Sequence, residues 1–207
     1  VLAAAGRPGA PRQAGGDSVA DAVAYAGDDA VRYWLARMPA GRAGALDGAV
    51  FVSRDPARSG ETQPYSAQPY LTRDLAVVRF ACADAAATTR WAVELGLHRA
   101  APGSSAAGQL GLPAESALLT QLSWLAERVA AAARRCQPDE LPRLLERLAA
   151  AWLACRESCP ALPFGGTAAP RDRAGISARL WLAEATRTAL AAGLDLIGLT
   201  PRLSDPF

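Results

Sequence analysis

The stretch Pro138-Asp139-Glu140-Leu141-Pro142-Arg143-Leu144-Leu145-Glu146-Arg147-Leu148-Ala149-Ala150-Ala151-Trp152 decides the fold. Leu141, Leu144, Leu145, Leu148 and Trp152 recur at the three- and four-residue steps that bring side chains onto one face of an α-helix. A start near Pro138-Asp139 puts proline in the first turn, where its missing N–H has no helical partner to lose. An apolar face of this kind has to be covered, and the flanking sequence supplies helices to cover it. Upstream, Leu118, Leu122, Leu125 and Val129 line a helix expected over 113–135. Downstream, Leu180, Ala183 and Leu190 line one expected over 176–192 with Gly193 as its stop, and Leu194 and Ile197 join the same face if the helix resumes. A fourth is expected over 74–95, closed by Gly96. Ahead of these, Ser18 is placed to cap a short helix over 19–26 that Gly27 ends; Asp28 then caps a second one running to Met38 and stopped by Pro39. Residues 1–16 lack periodicity and read as a flexible lead-in, and 40–71, rich in Gly, Pro, Ser and Arg, as a long loop broken only by the β-prone run Ala49-Val50-Phe51-Val52. The expected architecture is all-α, a single helical bundle over 17–207.

At 207 residues, 51% hydrophobic and 20% charged, the chain is long enough for one full core. A net charge of +2 does not mark a nucleic-acid binder, and all 22 basic side chains are arginine because the sequence contains no lysine. Arginine, alanine, glycine and proline usage of this kind is also what GC-biased coding produces, so composition neither supports nor excludes RNA. No apolar run reaches the roughly 20 residues of a membrane span. The opening Val1 to Gly9 lacks the basic start and long apolar run of a signal peptide, so a cytoplasmic location is expected. Cys82, Cys136, Cys155 and Cys159 form no CxxC pair and the lone histidine, His98, is distant in sequence from Cys155 and Cys159; buried small hydrophobes, without metal or disulfide, are expected.

Gly27-Asp28-Asp29-Ala30-Val31-Arg32-Tyr33-Trp34-Leu35 resembles G-x-D-A-L-R-Y-F, the DALR signature opening the anticodon-binding domain of arginyl-tRNA synthetases: Asp29, Ala30 and Arg32 match, and Val31 replaces the leucine. Phe80-Ala81-Cys82-Ala83-Asp84 stands where that family has Tyr-Ala-His-Ala-Arg, and Trp91-Ala92-Val93-Glu94-Leu95-Gly96 looks like the helix end that follows. Pro138 to Leu148 resembles the element E-P-x-x-L-x-x-Y-L-x-x-L-A. Arg179-Leu180-Trp181-Leu182, with Leu190 and Gly193 to Pro201, resembles the closing R-L-x-L…V-L-x-x-G-L-x-L-L-G-I-x-x-P. These elements recur in order over about Ser18 to Leu203. The resemblance implies the helical bundle of class Ia anticodon-binding domains and a tRNA partner, with arginine tRNA the first candidate.

The departures matter as much. Synthetases of this class activate their amino acid with HIGH and KMSKS motifs, whose histidines and lysines stabilise charge on the reacting phosphates. A chain with one histidine and no lysine supplies neither. Aligning Asp29 with the family's aspartate lays Pro8-Gly9-Ala10-Pro11-Arg12 over the KMSKR loop, with proline at both lysine positions, so no adenylation is expected. The family's F-Y-x-x-C-R-V segment, whose aromatic pair helps hold an anticodon base, is here Trp152-Leu153-Ala154-Cys155-Arg156-Glu157-Ser158-Cys159-Pro160. Cys159 and the upstream Trp152 are familiar; Arg156 takes the tyrosine position, where a guanidinium plane can also stack on a base. Phe207 offers a further aromatic surface at the end of the chain. For phosphates the candidates are Arg134, Arg135, Arg143 and Arg147, with Arg171, Arg173 and Arg179, gathered into one basic band that would give a steep salt dependence. Glu140 and Glu146, interleaved with them, argue for a solvated salt-bridged face instead. Asp29, Ala30 and Arg32 are read as structural, with Arg32 paired to Asp28 or Asp29.

Two functions follow from the resemblance. One is a non-catalytic tRNA-binding protein, an accessory to a protein partner that uses aminoacyl-tRNA. The other is an assembly subunit that keeps the bundle and has lost RNA. An enzyme with its own centre is not expected, because His98 has no nucleophile near it in sequence and Ser104-Ser105 sits in a Gly/Ala-rich tract. No cofactor, membrane or metal partner is expected.

Overall fold

The computed structural model describes residues 19, 20, 23, 27–39, 70–99, 110–162 and 173–201. These form α1 (Asp28–Arg37), α2 (Tyr70–Glu94), α3 (Pro113–Arg134), α4 (Glu140–Ser158) and α5 (Arg173–Leu196), with no strand among the described residues. The fold is all-α. Helix α4 packs against all four others, and α2 also lies along α5 and against α1. The leucine stripe that defines α4 explains this position: Leu144, Leu145, Leu148 and Trp152 are buried, and Ala149 and Cys155 widen the buried face. Around it the core is completed by Leu75, Val78 and Ala81 of α2, Leu118 of α3, and Leu182, Leu190 and Leu194 of α5. Burying a leucine of this kind is worth about 2 kcal/mol, so the α4 stripe is a main source of the bundle's cohesion.

Several helix ends differ from the sequence expectation. Gly27 (φ 84°), not Asp28, occupies the position before α1, and Asp28 and Asp29 lie in the first turn, where negative charge suits the positive end of the helix. Helix α2 starts at Tyr70, so it takes up the last residues assigned to the long loop. Helix α5 starts at Arg173 and runs straight through Gly193, ending at Leu196; the glycine that stops the chain is Gly198, at φ 77°. Gly193 serves packing instead, since a Cβ there would overlap the Leu145 Cδ2 methyl; its absence lets α5 close on α4. Val19, Ala20 and Val23 are helical, whereas Ser18, the rest of the expected short helix, the lead-in 1–16 and the loop 40–69 with its β-prone run lie outside the described residues.

The DALR segment is woven into the bundle. Ala30, Val31 and Tyr33 are buried. Asp29 accepts from the guanidinium of the buried Arg79, Oδ2 to Nη2, and the Arg79 Nε donates to the Thr200 carbonyl at 3.1 Å, tying α1 and α2 to the segment after α5. Arg32 pairs with Asp28 at 2.8 Å on the surface, a contact that contributes little in water. The Tyr33 hydroxyl donates to the Pro142 carbonyl and to Glu146, each at 3.2 Å, which pins α1 to the start of α4.

Candidate nucleic-acid interface

The C-terminal half of α4, the C-terminal end of α2 and the early turns of α5 enclose a cleft of about 860 Å³. Trp91 stands on its rim, 46% exposed, and Leu95, Leu153, Pro160 and Leu162 make an apolar lining. Arg156 projects from α4 with its side chain 48% exposed, and its Nε approaches Asp84 Oδ1 at 3.2 Å. The Asp84 carboxylate, only 8% exposed, is fixed from the other side by Trp152 Nε1, which donates to Oδ2 at 3.0 Å. Asp84 thus aims Arg156 through its inner nitrogen.

A second, deeper pair underlies the cleft. Glu115, with no solvent exposure, accepts from Arg179 Nε at 2.6 Å through one carboxylate oxygen and from the backbone N–H of Gly111 and Leu112, each at 3.0 Å, through the other. Burial by itself raises this carboxyl, but the Arg179 hydrogen bond and charge together with the two N–H donors outweigh it and hold Glu115 below the usual carboxylate range. Arg179, a phosphate candidate, is therefore engaged inside the protein. Cys155 lies nearby, its thiol pushed up to about 12 by burial, then by Cys159 and Glu115, so it stays protonated. Cys82 and Cys159 are buried as expected, but Cys136 is exposed at the turn after α3, at φ 53°.

Trp152 does not offer a stacking face: it is 3% exposed, part of the core, and acts on the cleft only through Asp84. The single basic band is not formed. Arg134, Arg135, Arg143 and Arg147 gather around the α3–α4 turn, at the far end of α3 from Glu115 and its partner Arg179. Arg135 and Arg147 share a smaller cleft of about 270 Å³ with Arg128 and Glu140 at the α3–α4 turn. There Arg143 pairs with Asp139 at 3.3 Å and Glu140 at 3.7 Å, Arg147 with Glu140 at 3.7 Å, and Arg134 with Glu127 at 2.9 Å. Glu146 is not part of that face; it turns towards α1, where Arg37 Nε meets it at 2.9 Å. Arg173 is exposed at the start of α5. Arg171 and Phe207 lie outside the described residues. Asp84 and Trp91 lie in the family-like segments but are not among the expected site residues, and Glu115 and Arg79 are not singled out by the sequence at all, because Trp152, Arg156, Arg179, Asp29 and Thr200, which give them their roles, are distant in the chain.

The all-α fold is that of an anticodon-binding class of domain. Residues 99–203 match the DALR anticodon binding domain family, and the chain belongs to it. Similar proteins include arginine–tRNA ligases of Pseudarthrobacter chlorophenolicus, 32% identical over 182 residues, and Micrococcus luteus, 34% identical over 185, each covering 87% of this chain and 30% of the relative. The ligase of Renibacterium salmoninarum is 33% identical over 181 residues, covering 87% of this chain and 29% of its own. The chain spans about 30% of the length of the relatives it matches, and coverage of 87% takes in α1 and α2 as well as the family segment. No solved structure matches. Among the described residues no helix is long and apolar enough to cross a membrane, and no group of three or more His, Cys, Asp or Glu side chains is arranged to hold a metal.

Proposed function

We propose that the chain is a non-catalytic tRNA-binding protein of the cytoplasm, engaging the anticodon region with the α2–α4–α5 cleft and serving as an accessory to an enzyme that uses aminoacyl-tRNA. The cleft carries this reading: an exposed tryptophan face and an outward guanidinium, on neighbouring helices of an anticodon-binding bundle, are the groups that hold unstacked bases. Arginine tRNA is the first candidate, from the names of the similar ligases. Absence of lysine and the single histidine support a role without adenylation. A gel-shift titration of the folded chain against total tRNA at low salt tests it. A retarded complex that dissolves as salt rises is expected; no complex at any protein concentration rejects it.

A second reading, an assembly subunit without RNA, draws support from the arginines themselves. Arg134, Arg143, Arg147 and Arg179 all have carboxylate partners within the protein. It expects a protein complex that purifies free of RNA.

A further inference from the structure

The cleft has a chemical bias of its own. A phosphate needs uncompensated positive charge, yet Arg179 is matched by Glu115 and Arg156 by Asp84. Glu94 and Glu157, exposed on the same lining, have no ion-pair partner among the described residues. The rim is therefore acidic, and most of the remaining lining is apolar. Such a site repels a phosphate and favours a flat, neutral group that stacks on Trp91 and satisfies both a planar donor and a carboxylate.

One base fits that description best. Guanine presents paired acceptors, O6 and N7, on one edge, and a guanidinium meets them with two N–H groups. Its opposite edge presents N–H donors, which a carboxylate accepts. Adenine replaces one acceptor of the first edge with a donor, and cytosine and uracil lack the N7 site. With Nε nearest Asp84 and the side chain 48% exposed, Arg156 can turn its Nη atoms to a ligand. Lysine at this position would keep the charge and lose the planar fork.

We propose that the cleft takes an unpaired guanine of single-stranded RNA, with Trp91 as the stacking platform, Arg156 donating to O6 and N7, and a rim carboxylate, Glu157 or Glu94, accepting from the far edge. The proposal rests on the tRNA-binding reading and adds to it a base preference set by Arg156 and aimed by Asp84.

The test uses the full chain and fluorescein-labelled RNA stem-loops, one with an all-adenine loop, one with guanines in the loop and one with 7-deazaguanine in their place, alongside total tRNA. The guanine loop is expected to bind about tenfold or more tightly than the other two. Arg156→Lys removes this preference with the helical circular-dichroism signal unchanged, so that the three loops bind alike. Trp91→Ala weakens all three loops together. If the wild-type chain binds total tRNA but treats the three loops alike, or if Arg156→Lys weakens every loop equally, the guanine assignment falls and tRNA binding stands. Failure to bind any RNA, total tRNA included, overturns both. The 7-deazaguanine arm needs no variant, so the outcome does not hang on Arg156→Lys folding.

Discussion

Two glutamates, both shielded and both beside an arginine, behave in opposite ways at the two ends of this bundle. Glu115, under the cleft, has no exposure and its carboxyl is held below the usual range. Glu146, between α1 and α4, is 22% exposed, yet its carboxyl is raised, first by burial and then by the nearby Asp74, against Arg37 and the Tyr33 hydrogen bond. Both carboxylates have both oxygens engaged, Glu115 by Arg179 and two backbone N–H groups, Glu146 by the Tyr33 hydroxyl and two nitrogens of Arg37. Glu146 shares Arg37 with Asp74, which the same guanidinium meets at 3.1 Å. What separates them is the neighbourhood: burial and a second carboxylate, Asp74, raise Glu146, whereas no second carboxylate opposes the Arg179 and backbone N–H contacts of Glu115. Functionally, the cleft end carries a rigid charged foundation beneath an exposed Trp91 and Arg156, and the DALR end carries ties that hold helices together.

Breaking the deeper site gives the largest effect. Glu115→Gln leaves Arg179 without its countercharge and weakens the acceptor for Gly111 and Leu112, so about 3 kcal/mol of unfolding free energy is expected to go, read from the denaturant midpoint at neutral pH. A loss below about 1 kcal/mol would mean that this pair is no stronger than a surface one. Acid comes next. Because the folded pKa of Glu115 lies below its unfolded value, near 4.3, its contribution is complete above that value and is lost as pH falls through the folded pKa. Glu146 has the reverse sign: the folded state keeps a proton that the unfolded chain releases between the ordinary and the raised value, so its contribution grows as pH falls through that window. The stability gap between wild type and Glu115→Gln should therefore shrink on acidification below about pH 4, whereas wild type gains on Glu146→Gln earlier in the descent, as pH falls from the raised value to the ordinary one.

How much of this was legible in one sequence depends on the range of the contacts. The α4 stripe was readable because Leu144, Leu145, Leu148 and Trp152 report on one helix face, and the bundle follows from it. Gly193 was misread as a stop because periodicity cannot distinguish a glycine that ends a helix from one that makes room for Leu145 on another helix. Trp152 carried two conflicting signals, a core stripe and a familiar position in a base-holding segment; burial at 3% exposure follows the stripe. The basic band divides because chain order does not show which helix ends meet: Arg134, Arg135, Arg143 and Arg147 stay near the α3–α4 turn, whereas Arg179 is held by Glu115 at the other end of α3. Asp84 and Trp91 were invisible as site residues, since what gives them meaning is α4 crossing α2. The Asp29–Arg79 tie was hidden likewise: an arginine at 7% exposure amid the apolar face of α2 is intelligible only once α1 lies beside it.

The shallower end supplies the smaller tests. Tyr33→Phe removes a hydroxyl that burial keeps protonated, and with it the donors to Pro142 and Glu146; about 1 kcal/mol is expected to be lost in thermal or chemical unfolding. The variant also pushes the Glu146 carboxyl higher still, because the hydrogen bond it deletes favours the charged form.

Glu146→Gln is the smallest and the most discriminating. The amide oxygen still accepts from Tyr33 and from Arg37 Nε, and Arg37 keeps Asp74, so what is lost is the Arg37 Nη2 bond and a partly exposed charge attraction. What is gained is relief from placing a second carboxylate near Asp74 in a shielded site. These oppose, and the net change at neutral pH is expected within about 0.5 kcal/mol. A loss equal to that of Glu115→Gln would break the distinction between the two sites, since it would make the Glu146 charge as necessary as the one with no second carboxylate beside it. A near-zero change beside a large loss at Glu115 ties the difference to what surrounds each carboxylate, Asp74 at one and backbone N–H groups at the other, because the same substitution has then been made at two shielded carboxylates.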